Sequence, residues 1–74
     1  MSQQLATFKV LGEYLEAPVL VRLRNGSGIK GTLRSYDQHL NLVIGDAEEV
    51  GERNRRLGLV LIRGDSVVMI SPGA

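Results

Sequence analysis

The sequence has no cysteine and only one histidine among its 74 residues. Without thiols there is neither a disulfide framework nor a thiolate metal site, and a single imidazole argues against zinc. No paired carboxylates converge with a nucleophile and a base to give a catalytic set. We therefore expect no enzyme activity, no metal ion and no cofactor.

Long hydrophobic runs are also missing. The first segment, MSQQLATFKVLGEYLE, carries charges throughout and has no apolar run long enough for a signal peptide or a membrane span. This pattern predicts a cytoplasmic protein with no membrane partner. The formal net charge is only +1, which argues against holding nucleic acid by bulk electrostatics alone.

The length of the chain predicts a single domain over residues 1–74. A domain of this size buries only about 60% of the surface that its extended chain exposes. Its core is therefore small, and a partner subunit would stabilise it.

Apolar residues near the start recur at helical spacing. Leu5, Phe8, Leu11 and Leu15 fall at intervals of three and four and predict a helix over about residues 3–16. Ser2 precedes this segment as a candidate N-cap, and a proline follows it as a stop signal. We interpret the segment as an amphipathic helix that covers one end of a sheet.

From Val19 the apolar period changes to two, which indicates a strand. Asn25-Gly26 then predicts a tight hairpin turn with positive φ at both central residues. The second strand has Gly31 at its middle, where a missing side chain is typical of a sharp bend or a close backbone approach. We therefore expect a strongly curved sheet.

A third strand is predicted from about Leu40, followed by a charged, variable loop over residues 46–56. The last two strands, RLGLVLI and SVVMI, are apolar on both faces, which is typical of strands covered on both sides. A single small sheet does not cover them. We interpret them as edge strands that contact other subunits, and the alternative is a closed monomeric barrel.

Two separate segments, NGSGIKGTLRSYDQHLNLV and IRGDSVV, resemble the two signature motifs of the Sm and Sm-like proteins, most closely the archaeal ones. The first motif covers about residues 19–44 and the second about 57–70. The matching residues are Gly26, Gly31, Leu33, Asp37, Asn41 and Leu42 in the first and Ile62, Arg63, Gly64, Asp65 and Val67 in the second.

This resemblance implies a mainly β fold, with an N-terminal α-helix followed by a five-stranded, strongly bent antiparallel sheet. It also implies a homo-oligomeric ring of seven subunits, in which the fourth strand of one chain pairs with the fifth of the next. The loops at 37–41 and 63–65 would then meet beside the central pore, where uridine-rich single-stranded RNA binds.

On this interpretation, the planar groups of His39 and Arg63 sandwich a base by stacking, a contact to which every base offers a face. Asn41 selects uracil by accepting from N3–H and donating to a neighbouring carbonyl. Asp65 is expected to accept from the Asn41 amide and fix its orientation, and a backbone N–H of Gly64 or Asp65 adds a donor.

Two further residues have secondary roles. Asp37 is expected to support the site by accepting from backbone amides in its own loop. Tyr36 is a weak second candidate for RNA contact, and packing against the helix is the favoured alternative. Both residues lie in the first motif.

The sequence therefore predicts a ring-forming module that binds uridine-rich single-stranded RNA and supports RNA processing or turnover together with RNA-processing proteins. The alternative is a structural ring that assembles proteins and binds RNA only incidentally. Two planar groups and an amide in the paired motifs favour the RNA-binding function, because a pure scaffold does not need them.

Overall fold

Alternating apolar residues form a five-stranded antiparallel sheet in the computed structural model, which describes residues 9–73. The strands run in the order β4-β3-β2-β1-β5 across the sheet. Their bounds are β1 Pro18–Leu23, β2 Gly28–Tyr36, β3 Leu42–Val50, β4 Arg55–Ile62 and β5 Val67–Pro72, with a 3₁₀ turn at Gly64–Ser66. The predicted mainly β fold is confirmed.

The described part of the chain begins in a helical segment at residues 9–12, which turns replace from residue 13 to residue 16. Leu11 is buried on the sheet, whereas Leu5, Phe8 and the Ser2 cap lie outside the described residues. Two backbone hydrogen bonds join this segment to β2, from Glu16 N–H to the Leu33 carbonyl at 2.8 Å and from Leu33 N–H to the Ala17 carbonyl at 3.1 Å. Within residues 9–73, no helix has the length and apolar character needed to cross a bilayer.

The core follows the alternation read from the sequence. Apolar side chains of β1, β2 and β3 that lie two residues apart face inward together, because successive residues of a strand point to opposite faces. The largest fully buried side chains are Leu33, Leu42, Ile44, Val19 and Val21.

Gly31 lies where β2 and β3 approach each other closely. A Cβ added to this residue would lie 2.5 Å from Cγ2 of Ile44 and 2.7 Å from the carbonyl oxygen of Gly45. The pairing register of β2 with β3 also shifts between Lys30 and Thr32. Because irregular pairing of this kind bends a strand, the predicted close approach and curvature are confirmed here.

The hairpin turn between β1 and β2 differs from the prediction. Only Gly26 has positive φ (93°), and Asn25 does not. Gly26 N–H donates to the Leu23 carbonyl at 3.0 Å, and Leu23 N–H donates to the Ser27 carbonyl at 2.9 Å. These bonds close a three-residue loop, a type that needs positive φ at its last residue alone. Asn25 instead caps the turn by accepting from Ser27 N–H at 2.9 Å.

The predicted variable loop over residues 46–56 is too long. Strand β3 continues to Val50 and β4 begins at Arg55, so the connection is residues 51–54. Ala47 is fully buried inside the predicted loop, and Glu49 and Arg55 form an ion pair across the two strands at 3.1 Å. The charged residues here belong to the solvent-facing side of a strand, which a count of charges does not distinguish from a loop.

Strands β4 and β5 lie at opposite edges of the sheet, and each pairs with one neighbour, β3 and β1 respectively. Within residues 9–73 the two edges do not pair with each other, so the chain does not form a closed monomeric barrel. Both edges expose large apolar side chains, namely Leu59 and Leu61 at 72%, Val68 at 61% and Met69 at 50%. Exposed apolar edges of this kind mark an interaction surface.

Candidate functional site

Two connections between strands meet at one place on the surface, residues 37–41 between β2 and β3 and residues 63–66 between β4 and β5. Gly64 lies directly against the peptide that joins His39 to Leu40. A Cβ on Gly64 would clash with the carbonyl oxygen of His39 and would lie 3.0 Å from the carbonyl carbon of Leu40. The two predicted motifs are therefore in backbone contact, and only glycine allows that contact.

The Asn41 amide joins the two connections. Its Oδ1 accepts from the backbone N–H of Gly64 at 2.8 Å, and its Nδ2 donates to Oδ2 of Asp37 at 2.9 Å. Reversing the amide would direct its NH₂ group at the Gly64 N–H and its oxygen at the carboxylate. The orientation of the amide is therefore fixed by a donor on one side and an acceptor on the other.

The partner predicted for this amide was wrong. The Asn41 amide donates to Asp37, and the Asp65 Oδ2 accepts from Nη2 of Arg63 at 3.1 Å. Asp37 takes that role from within the same connection. Asp65 lies in the other connection, whereas Asp37 precedes Asn41 by four residues in the same connection and so accepts from its amide.

The Asp37 carboxylate organises its own connection, as predicted. Its Oδ1 accepts from the backbone N–H groups of His39 at 2.8 Å and Asn41 at 3.0 Å. The hydrogen bond from the Asn41 side chain, followed by the bond from the Asn41 backbone, lowers the pKa of Asp37 below its ordinary value. Hydrogen bonds of this kind favour the ionised carboxylate.

This lowered pKa predicts a pH dependence that Asp37→Asn should remove. Asp37 stabilises the fold at pH values above the pKa of a carboxyl group in the unfolded chain, and this contribution is lost as the pH falls through the lowered folded pKa. The free energy of unfolding should therefore differ between wild type and Asp37→Asn at neutral pH and converge in acid.

Denaturant unfolding at a series of pH values measures this difference. The matched control is Asp46→Asn, which changes an exposed aspartate with no side-chain hydrogen bond among residues 9–73. A difference between wild type and Asp37→Asn that stays constant from neutral pH into acid would contradict the role assigned to the carboxylate.

Leu40 has a strained backbone that the sequence analysis missed. It has a φ of 64°, which is uncommon for a residue with a branched side chain. Its N–H donates to the Asp37 carbonyl at 2.9 Å, and its half-buried side chain packs against the core. The third strand was predicted to begin at about Leu40, because leucine carries no signal of a left-handed turn, and β3 begins instead at Leu42.

The stacking candidates His39 and Arg63 are both exposed. Arg63 is 79% exposed and its ion pair partner Asp65 is 66% exposed, so this pair adds little stability. The pair leaves the planar guanidinium open to solvent. The site thus presents two exposed planar groups beside one amide of fixed orientation, which suits a flat ring with a polar edge.

Arg24 is a second contact that the sequence analysis missed. Its Nε donates to the backbone carbonyl of Asp65 at 2.6 Å, and its backbone N–H donates to the Ser66 carbonyl at 2.9 Å. Arg24 follows β1 directly, far along the chain from the 63–66 connection. Nothing local in the sequence signals this contact, because it depends on the pairing of β1 with β5, which places Leu23 opposite Val67.

Tyr36 lies away from this constellation, at the helical segment. A Cβ on Gly12 would lie 2.9 Å from the Tyr36 hydroxyl oxygen, and the half-buried Tyr36 ring packs against the core. This placement supports the packing role. The weak secondary RNA role of Tyr36 stays a prediction.

Comparison with known proteins adds independent findings. The family model of the LSM domain matches residues 9–72. An Sm-like protein of Aeropyrum pernix is 58% identical over 71 residues, which cover 95% of this chain and 92% of that protein. Both connections of the site lie within the matched residues.

Solved structures share the fold. The SmAP1 heptamer of P. aerophilum aligns with a TM-score of 0.84 and 41% identity, covering 88% of this chain and 89% of that chain. The Sm protein of Pyrococcus abyssii, solved in complex with a uridine heptamer, aligns with a TM-score of 0.82 and 42% identity, covering 88% of this chain and 94% of that chain. The similarity therefore extends over nearly all of each chain.

Proposed function

Because the chain belongs to the LSM domain family, we propose that it assembles into a homo-oligomeric ring of seven subunits that binds uridine-rich single-stranded RNA near the central pore. The observation that carries this proposal is the fixed amide of Asn41, held between Asp37 and Gly64. An amide that is locked in one orientation reads one base edge and rejects the complementary pattern.

The ring is supported by the two open edges of the sheet. Strand β4 exposes Leu59 and Leu61, and β5 exposes Val68 and Met69, on opposite sides of one chain. Pairing β4 of one subunit with β5 of the next would hide both edges and satisfy their free backbone groups. The heptameric relative of P. aerophilum supports a count of seven.

Uracil recognition follows from the hydrogen bonds that remain to Asn41. Its Oδ1 has a second lone pair and its Nδ2 a second hydrogen after the bonds to Gly64 and Asp37 are made. The oxygen would accept from uracil N3–H while the nitrogen donates to a uracil carbonyl. The uridine heptamer bound by the Pyrococcus abyssii protein supports uridine as the ligand.

The stacking role predicted for His39 and Arg63 is part of this proposal. His39 and Arg63 would stack on the two faces of the base, and the backbone at Gly64 and Asp65 would border its polar edge. We place this ring in the cytoplasm, where it would support RNA processing or turnover together with RNA-processing proteins. The alternative of a scaffold with incidental RNA binding predicts no base preference.

The test is binding of fluorescently labelled oligouridine and oligoadenosine of equal length, measured by anisotropy at one stated salt concentration. Oligouridine should bind more tightly, and a seven-nucleotide strand should bind far more tightly than a dinucleotide, because adjacent pockets raise the effective concentration of each next base. Equal affinity for both bases would favour the scaffold. Native mass spectrometry reports the subunit count in the same samples.

A further inference from the structure

We infer that Arg24 is a phosphate-binding residue that contacts the backbone of the strand whose base lies at Asn41. The ligand group is a phosphodiester of single-stranded nucleic acid. This inference rests on the function proposed above. It adds to that site a charged contact made by a residue other than those proposed to stack on the base or to read its edge.

The Arg24 side chain is held in place without using up its donors. Nε donates to the Asp65 carbonyl at 2.6 Å, while the backbone N–H of the same residue donates to the Ser66 carbonyl at 2.9 Å. In the part of the chain that the structure describes, the two terminal amino groups make no hydrogen bond or ion pair with protein. An exposed guanidinium held through Nε presents these two groups as a planar pair, the geometry that matches phosphate oxygens.

Arg24 also lies within reach of the pocket. The 63–66 connection is held at Gly64 by Asn41 and at its other end by Arg24. Ser66 lies at most about 7 Å from Gly64, since each residue advances the chain by at most about 3.6 Å. A base bound at the Asn41 amide would therefore place its sugar-phosphate beside the 63–66 connection, to which Arg24 is hydrogen-bonded.

The charges around Arg24 leave it free for an anion. The Asp65 carboxylate pairs with Arg63 at 3.1 Å, and the Asp37 carboxylate accepts hydrogen bonds from His39 and Asn41. Neither acid neutralises Arg24. Although its formal net charge is only +1, the protein can then bind a polyanion locally through a few fixed guanidinium groups.

The experiment is a salt titration of binding to a seven-nucleotide oligouridine by wild type, Arg24→Gln and Arg24→Lys. Losing one phosphate contact should make the slope of log K against log salt shallower by ~0.7 for every occupied pocket. Arg24→Gln should show this loss, and Arg24→Lys should keep the wild-type slope because the charge remains. The control Arg53→Gln removes an equal charge from the exposed 51–54 connection and should leave the slope unchanged.

A wild-type slope in Arg24→Gln would overturn the inference, because a role limited to positioning the connection lowers affinity without changing the slope. An equal loss of slope in Arg53→Gln would overturn it too. With oligouridine that has uncharged methylphosphonate linkages, the difference in affinity between wild type and Arg24→Gln should shrink to the part caused by losing the hydrogen bond to the Asp65 carbonyl. A difference as large as with the charged strand would contradict a phosphate contact. If wild type itself shows no preference for oligouridine over oligoadenosine, the proposed function fails instead.

Discussion

The double variant Leu59→Lys, Leu61→Lys should run as an 8.1 kDa monomer in native mass spectrometry at about micromolar concentration, in place of a seven-fold assembly. Both leucines are 72% exposed in the single chain, so lysine at these positions leaves the fold of one subunit intact. In the ring both would be covered by the next subunit. A buried ammonium without a partner costs several kcal/mol, which is enough to separate the subunits.

The matched control is Glu52→Lys, which changes the net charge by the same amount in the exposed 51–54 connection and should leave the assembly unchanged. Val60 is unsuitable for this test, because its half-buried side chain packs against the core of its own subunit. A double variant that keeps the seven-fold mass would show that β4 is not the contact. The monomer should also bind seven-nucleotide oligouridine no better than a dinucleotide, since the adjacent pockets are lost.

Asn41→Ala should abolish the preference for oligouridine over oligocytidine and oligoadenosine. The variant removes two hydrogen bonds that uracil alone satisfies, worth about 1–3 kcal/mol together in each occupied pocket. Because Asn41 also holds Gly64 at 2.8 Å, affinity for all three strands should fall as well. Fluorescence anisotropy on the three oligonucleotides measures both effects, with the ring mass checked in each sample.

His39→Ala separates stacking from base reading. It should weaken binding of all three strands by a similar factor, about 1–3 kcal/mol per occupied pocket, and keep the uridine preference. Asp37→Asn removes one of the two groups that orient the Asn41 amide and leaves the Gly64 N–H as the other, so its uridine preference should weaken without disappearing. A uridine preference that persists in Asn41→Ala, or that disappears in His39→Ala, would contradict this division of roles.

The strands of the sheet were predictable where apolar and polar residues alternate with a period of two. The period of two from Val19 predicts that Val19 and Val21 face the same side of the sheet, and both are fully buried. Gly31 was predicted as a close approach because few other reasons put glycine in mid-strand. The extent of β3 was not predictable, because acidic residues on the solvent face of a long strand resemble a loop.

Within the site, the residues that take part were easier to predict than their hydrogen-bond partners. The two motifs identified Asn41 and Gly64, and the structure brings both into one hydrogen bond. That Asp37, and not Asp65, accepts from the Asn41 amide depends on the turn at Leu40. The residue type gives no signal of the positive φ at that position. The contact of Arg24 depends on the pairing of β1 with β5, two strands far apart in the chain, which no local pattern encodes.

The order β4-β3-β2-β1-β5 has a consequence for how subunits associate, because each chain carries two different edges. Contact between unlike surfaces is heterologous, and it closes into a ring only if the rotation per subunit divides a full circle; otherwise it grows into an open helical filament. That rotation depends on the bend of the sheet, to which Gly31 contributes. One glycine thus helps to decide between a closed particle of fixed size and an unlimited polymer.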